Sequence, residues 1–159
     1  MNRQAWIDID SEQQGKSKEI GFCDLSKTLS LFQEFDRYDR TSCPTSKELA
    51  TEGPNDPPFD HDHLAFDVCF GDKYHGSTKH SSCWVSVGAL KPHGYTVFLT
   101  VPRYWMGLVR LPTCQQYRPA KENVLTREQV VMVLKALFQM PEKTLAGWAK
   151  AQAYLEQSY

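Results

Sequence analysis

The sequence predicts a single α+β domain, with one N-terminal helix and two C-terminal helices packed on a central antiparallel sheet. Apolar residues alternate with period two through the middle of the chain and recur at helical spacing near both ends. A chain of 159 residues with 41% hydrophobic residues has enough apolar material for one packed core. Because strands followed by helices are typical of α+β folds, we expect one domain over residues 1–159.

The N-terminal third predicts a strand, a helix and a long loop. Residues 4–9 (QAWIDI) alternate as a first strand, which the polar stretch DSEQQGKSKE ends. Asp24 is a candidate N-cap, and the apolar residues after it recur at helical spacing, so we expect a helix over residues 25–38. The segment 40–60 is rich in proline and predicts a long loop.

The central segment predicts antiparallel strands. Residues 63–70 (HLAFDVCF) alternate strictly, with Asp67 on the side opposite the apolar residues. CWVSVGAL and YTVFLTV are separated by a reverse turn and predict a hairpin over residues 82–101. RYWMGLVRL, between Pro102 and Pro112, predicts one further short strand.

The C-terminal segment changes to a helical period. Thr126 and Gln129 have capping-box spacing at the start of an apolar helix face. Pro141 ends this helix, and the apolar residues from Leu145 to Leu155 predict a second amphipathic helix.

The formal net charge of −1 conceals two oppositely charged blocks. Residues 48–72 contain seven acidic residues and no lysine or arginine, whereas residues 73–121 contain seven basic residues and no acid. Two arrangements are open at this point. The blocks pair with each other on the folded surface, or they lie on different faces and leave the protein dipolar.

Protein recognition is the function that these patterns favour. An acidic surface rimmed by aromatic side chains suits an inhibitor of a basic enzyme such as a nuclease, because complementary charge speeds encounter. The acidic candidates for this surface are Asp56, Asp60, Asp62, Asp67 and Asp72. The candidate aromatic anchors are Trp84, Tyr104 and Trp105, which could alternatively belong to the core.

A metal site is the main alternative. His61 and His63, if on a strand, would place both imidazoles on the side of Asp67, and His75 or His80 could add a ligand. Imidazole and carboxylate are groups that zinc binds, so a zinc-dependent hydrolase or nuclease is conceivable. The spacing matches no HExxH or CxxC pattern, however, so we expect no metal and no cofactor.

Other chemistries have weaker support. Cys69 or Cys83 beside a histidine could form a nucleophilic pair, but thiols in strand patterns are commonly buried and inert. Nucleic-acid binding by the basic, aromatic-rich segment 73–121 is a third hypothesis, disfavoured because the domain is not basic overall and carries no RNP-like or KH-type motif.

The chain has no signal-peptide core and no run of 18 apolar residues, and its five cysteines form no CxxC pair. We therefore expect a cytoplasmic protein with reduced thiols that does not bind membranes.

The segment LTREQVVMVLKALFQMPEKTLAGW (125–148), a capped helix followed by a proline and a tryptophan, resembles the C-terminal end of small bacterial immunity proteins. These proteins neutralise toxins that are delivered between competing cells. The resemblance implies a cytosolic protein without catalytic activity, which binds one cognate toxin and occludes its active site. It transfers no toxin-contacting residue to this chain.

Overall fold

A computed structural model describes residues 3–11, 16–51, 64–71 and 83–158. The described strands are β1 (Ala5–Ser11), β2 (Lys16–Cys23), β3 (Leu64–Phe70), β4 (Cys83–Ala89), β5 (Tyr95–Trp105), β6 (Val109–Pro119) and β7 (Leu155–Ser158). The described helices are α1 (Leu25–Phe35), α2 (Ser46–Thr51), α3 (Arg127–Gln139) and α4 (Leu145–Ala151). None of these helices is long and apolar enough to cross a membrane.

All seven described strands form one sheet. Its order is β2-β1-β3-β4-β5-β6-β7, and every neighbouring pair is antiparallel. The predicted α+β class is confirmed, although the sheet is larger than predicted and α2 adds a helix to the expected three.

Helices cover one face of the sheet. Phe66 of β3 packs on Phe32 of α1, with ring centroids 5.6 Å apart, and Phe70 packs on Phe138 of α3 at 4.9 Å. The Tyr117 hydroxyl of β6 donates a hydrogen bond to the Ala146 carbonyl of α4 at 3.0 Å. The main core therefore lies between this face and helices α1, α3 and α4.

Both predicted helix caps are confirmed. The Asp24 carboxylate accepts a hydrogen bond from the Lys27 backbone N–H at 2.8 Å, at the start of α1. Thr126 and Gln129 form a complete capping box at the start of α3. Each interaction satisfies backbone N–H groups that have no partner inside the helix.

β2 and β7 were not predicted as strands, because both lie at an edge of the sheet. An edge strand pairs on one side only, so its sequence need not carry a buried alternating pattern. β2 falls partly in the polar stretch that was expected to end the first strand. β7 is four residues long and contains Leu155, which is therefore not part of the second C-terminal helix. That helix ends at Ala151 instead.

The segment predicted as one strand after Pro102 is the turn of a hairpin. β5 continues through Pro102 to Trp105, the chain reverses, and β6 runs past Pro112. A proline is tolerated there because β4 begins at Cys83 and pairs Trp84 with Thr100, which leaves Pro102 beyond its end. The predicted helix over 25–38 ends at Phe35, and α2 occupies part of the predicted 40–60 loop.

Candidate functional site

The sheet face opposite helices α1, α3 and α4 is here called the open face. The antiparallel registers align its side chains in rows that cross the strands. One row contains Trp6, Cys69, Trp84 and Thr100, and the next contains Asp8, Asp67, Ser86 and Phe98. Most of these side chains are only half-buried. The open face is therefore a part of the described sheet that can meet a binding partner.

Four carboxylates lie together on the β2-β1-β3 part of the open face. Asp8 of β1 is the register partner of both Glu19 on β2 and Asp67 on β3, and Asp10 lies two residues further along β1. We call Asp8, Asp10, Glu19 and Asp67 the acidic ladder. The registers therefore concentrate negative charge on this part of the open face.

The pKa of the Asp67 carboxyl is raised well above the ordinary value of an aspartate. Burial of its carboxyl raises its pKa from 3.8 to about 6, and the charges of Asp10 and Asp8 add to the rise, while the Ser86 hydroxyl opposes it. Its Oδ1 atom is buried and has no hydrogen-bond partner among the described residues. A cationic group placed beside Asp67 on the open face would favour the charged form of its carboxyl.

Two aromatic pairs flank the acidic ladder. The Trp6 ring meets Phe22 edge-on with centroids 5.1 Å apart, and its Nε1–H donates a hydrogen bond to Asp8 Oδ1 at 2.9 Å. Trp84 lies against Phe98 with centroids 5.5 Å apart. Because Phe22 is 56% exposed and Phe98 37% exposed, each pair presents apolar surface to solvent.

A groove extends the open face towards α2. Its volume is about 510 Å³, and Leu49, Ala65 and Phe98 contribute to its lining. Gly88 also lines the groove. A Cβ atom at this position would lie 2.9 Å from the Thr96 Cγ2, so a larger residue would fit only if Thr96 moved. A protruding side chain of a partner would find room here.

The structure brings together only some of the residues that the sequence singled out. Asp67 and Trp84 lie on the open face. Trp105 is 59% exposed at the β5–β6 turn, and the half-buried Tyr104 donates its hydroxyl to Glu142 at 3.0 Å. The remaining acidic candidates, Asp56, Asp60, Asp62 and Asp72, lie outside the described residues.

Of the acidic ladder, only Asp67 was predicted from the sequence as a site residue, and the aromatic residues Trp6, Phe22 and Phe98 were not. Trp6, Asp8 and Asp10 alternate in β1 and so share one side of the strand, a signal that was visible in the sequence. Glu19 and Phe22 gave no such signal, because β2 itself was not predicted.

Two arginines of the basic block form ion pairs with described carboxylates outside the acidic block. Arg110 forms an ion pair with Glu142 at 3.0 Å, and Arg118 forms one with Glu156 at 3.2 Å. Both carboxylates belong to the C-terminal segment. Asp67 forms no ion pair with another described residue.

The metal hypothesis rests on residues that the structure does not describe. His61, His63, His75 and His80 all fall outside the described ranges. Within those ranges no group of three histidine, cysteine or acidic residues is arranged to hold a metal ion. The zinc alternative therefore stays a prediction.

The two candidate nucleophilic thiols are strongly perturbed. Burial raises the pKa of Cys69 to about 11, and the charges of Asp67 and Asp8 add to this rise. Burial also raises the pKa of Cys83 to about 12. Both thiols are protonated at neutral pH, whereas the nucleophilic form of cysteine is the thiolate.

No protein-family model, curated protein or solved structure significantly matches this chain. The resemblance of residues 125–148 to immunity proteins therefore remains a prediction, and the geometry of the open face is the basis for a functional assignment.

Proposed function

We propose that this protein is an immunity-type inhibitor, which binds a cognate toxin or enzyme through its open face and occludes the partner's active site. The observation that carries the proposal is the acidic ladder, four carboxylates on three adjacent strands between two partly exposed aromatic pairs. This surface suits a basic partner, such as a nuclease whose own surface is shaped to bind nucleic acid.

The electrostatics of the ladder favour a cationic partner group. Within the free protein, Asp8 faces a carboxylate on each side, and Asp67 is both buried and close to other acids. A lysine or arginine placed beside Asp67 would attract its carboxylate and return the Asp67 pKa towards its ordinary value. Binding would thus recover part of the free energy that burial of the charged Asp67 carboxylate costs in the isolated chain.

The aromatic pairs supply the apolar part of such an interface. Tryptophan and other large aromatic side chains are enriched among residues that dominate binding energy. Trp6 is held by its hydrogen bond to Asp8 and by Phe22, and Trp84 is held by Phe98. Rings that are already fixed lose little conformational entropy on binding, which favours affinity.

The proposed action is binding without catalysis. Opposite charge would speed encounter with a basic enzyme and fix the orientation in which the sheet covers its active site. The described residues add no observation in favour of the hydrolase or the nucleic-acid-binding alternative.

The direct experiment uses a basic toxin nuclease domain as the partner, taken from the gene next to the one for this chain if that gene encodes such a domain. Its association with the wild-type protein and with Asp8→Asn/Asp10→Asn should be followed by stopped-flow at about 0.05 M and about 0.3 M salt. We expect the double variant to associate about ten-fold more slowly at low salt and to show a weaker salt dependence.

A matched control removes the same charge elsewhere. Glu34 and Glu128 are exposed carboxylates on α1 and α3, and Glu34→Gln/Glu128→Gln should associate like the wild type. Equal slowing in both double variants, or none in either, would show that the open face is not the interface. Failure of the wild-type protein to inhibit the toxin domain would refute the inhibitor function itself.

A further inference from the structure

The β5–β6 hairpin extends beyond Cys83, the first described residue of β4. Trp84, one residue after the start of β4, pairs with Thr100, whereas β5 continues to Trp105 and pairs there with Val109. The last four residues of β5 therefore lie past the end of β4, a reach of about 13 Å at the usual rise of a strand. We call residues 102–112 the arm.

The tip of the arm is apolar and exposed. Trp105, Met106, Leu108 and Val109 surround Gly107 and are 59%, 75%, 78% and 54% exposed. Single exposed apolar residues are common, but four large ones around one turn form a contiguous patch. Such patches mark interaction sites in soluble domains.

Hydrogen bonds and ion pairs fix the arm close to its turn. Glu142 accepts hydrogen bonds from the Tyr104 hydroxyl at 3.0 Å, from Arg110 Nε at 3.0 Å and from Arg3 Nη2 at 3.1 Å. At the tip, the Leu108 N–H donates to the Trp105 carbonyl at 3.0 Å. The apolar side chains are thus presented in a defined position.

Both charged residues of the arm are arginines, Arg103 and Arg110. Arg110 is paired with Glu142 at 3.0 Å. Arg103 is exposed and forms no ion pair with another described residue. The arm therefore complements a negatively charged surface.

We propose, in place of the expectation that the protein does not bind membranes, that the arm docks on the surface of an anionic lipid bilayer. The four tip side chains would enter the interfacial region, where tryptophan is favoured, and Arg103 would meet lipid phosphates. A bilayer fits this tip better than a protein pocket does, because its apolar residues surround a convex turn and lipid needs no preformed cavity. This docking uses a surface other than the acidic ladder and goes beyond the proposed inhibitor function.

The test is co-sedimentation of the full chain with vesicles of phosphatidylglycerol and phosphatidylcholine, compared with phosphatidylcholine alone. We expect binding to the anionic vesicles and at least about ten-fold weaker partitioning for Trp105→Ser/Leu108→Ser, which removes two large apolar groups. Arg103→Gln should weaken binding about five-fold on anionic vesicles.

The variant Met106→Asn tests whether vesicle binding can be weakened without a loss of folding stability. Met106 and Gly107 both have positive φ, 50° and 68°, and Asn-Gly is the preferred pair for such a hairpin turn. This variant should keep the wild-type melting temperature or raise it, yet bind anionic vesicles several-fold more weakly. Met132→Ser, which removes a 49% exposed methionine from α3, should bind like the wild type.

Three results would overturn the proposal. They are no sedimentation of the wild type with anionic vesicles, equal binding to both vesicle types, or equal effects of Met106→Asn and Met132→Ser. Because Asp8→Asn/Asp10→Asn leaves the arm intact, that variant should still bind vesicles, so the bilayer and inhibitor proposals fail independently.

Discussion

Asp67 of β3 lies directly opposite Asp8 of β1, so two carboxylates face each other across neighbouring strands of the open face. In the isolated chain the Asp67 pKa rises to about 6, mainly because the carboxyl is buried, and the charges of Asp10 and Asp8 add to the rise. A cation supplied by a basic partner would favour the charged form of Asp67 instead.

The raised pKa makes stability depend on pH in a defined direction. Asp67 holds its proton more tightly in the folded than in the unfolded state, so the free energy of unfolding should fall as pH rises from about 4 to about 6. The loss above that window is at most roughly 3 kcal/mol. Asp67→Asn removes this loss and should be more stable than the wild type at pH 8. Urea denaturation at several pH values measures the effect.

Glu34→Gln is the control for this prediction, because Glu34 is exposed on α1. It should leave the pH profile between 4 and 6 unchanged. A wild-type profile that is flat across this window, or one that Asp67→Asn leaves unaltered, would contradict the role assigned to Asp67.

Binding of a basic partner should be linked to proton release from Asp67. If a partner cation lowers the Asp67 pKa from about 6 towards its ordinary value, affinity should rise about ten-fold between pH 5 and pH 7. Isothermal titration calorimetry in two buffers of different ionisation enthalpy would report the released proton directly. Asp67→Asn should bind with little pH dependence over the same range, and persistence of the full dependence in this variant would assign the proton to another group.

Glu142 should contribute more to stability than an ordinary surface carboxylate. It accepts from Tyr104, Arg110 and Arg3, and so connects the arm with the N-terminal segment. We expect Glu142→Gln to cost about 1–2 kcal/mol in free energy of unfolding and to speed amide exchange in the arm.

The matched control is Glu156→Gln, which removes the ion pair with the exposed Arg118 and should cost less than about 0.5 kcal/mol. Equal costs for the two variants would mean that the three contacts of Glu142 do not act together.

Two glycines with positive φ offer a paired test of packing. Gly94 has φ +91°, and an added Cβ would overlap the Val124 side chain and lie 3.3 Å from the Leu125 carbonyl oxygen. Gly107 has φ +68° with nothing within 4 Å of its Cβ position. Gly107→Ala should cost about 1 kcal/mol from backbone strain alone, and Gly94→Ala about 3 kcal/mol or more. Thermal denaturation of both variants measures the difference, and similar losses would place the cost in φ rather than in the overlap.

The local sequence pattern predicted a strand correctly where every second side chain of the strand is buried. Leu64, Phe66, Val68 and Phe70 alternate because β3 buries one face only, and the structure shows that alternation. The helix starts at Asp24 and Thr126 were equally predictable, since a capping side chain acts within three residues of its own position. These signals are local, and the α+β class follows from them.

The acidic ladder and the arm were not predicted, because they depend on contacts between residues that are far apart in sequence. Asp8 and Asp67 are 59 positions apart in sequence, and only the β1–β3 register places one opposite the other. Likewise Met106 suits a strand in sequence but lies in the exposed turn that joins β5 to β6. The amino-acid sequence therefore defined the starts of α1 and α3 and the buried side of central strands such as β3. Strand order and register assembled the acidic ladder and the arm, because pairing energy depends on neighbours that no local window contains.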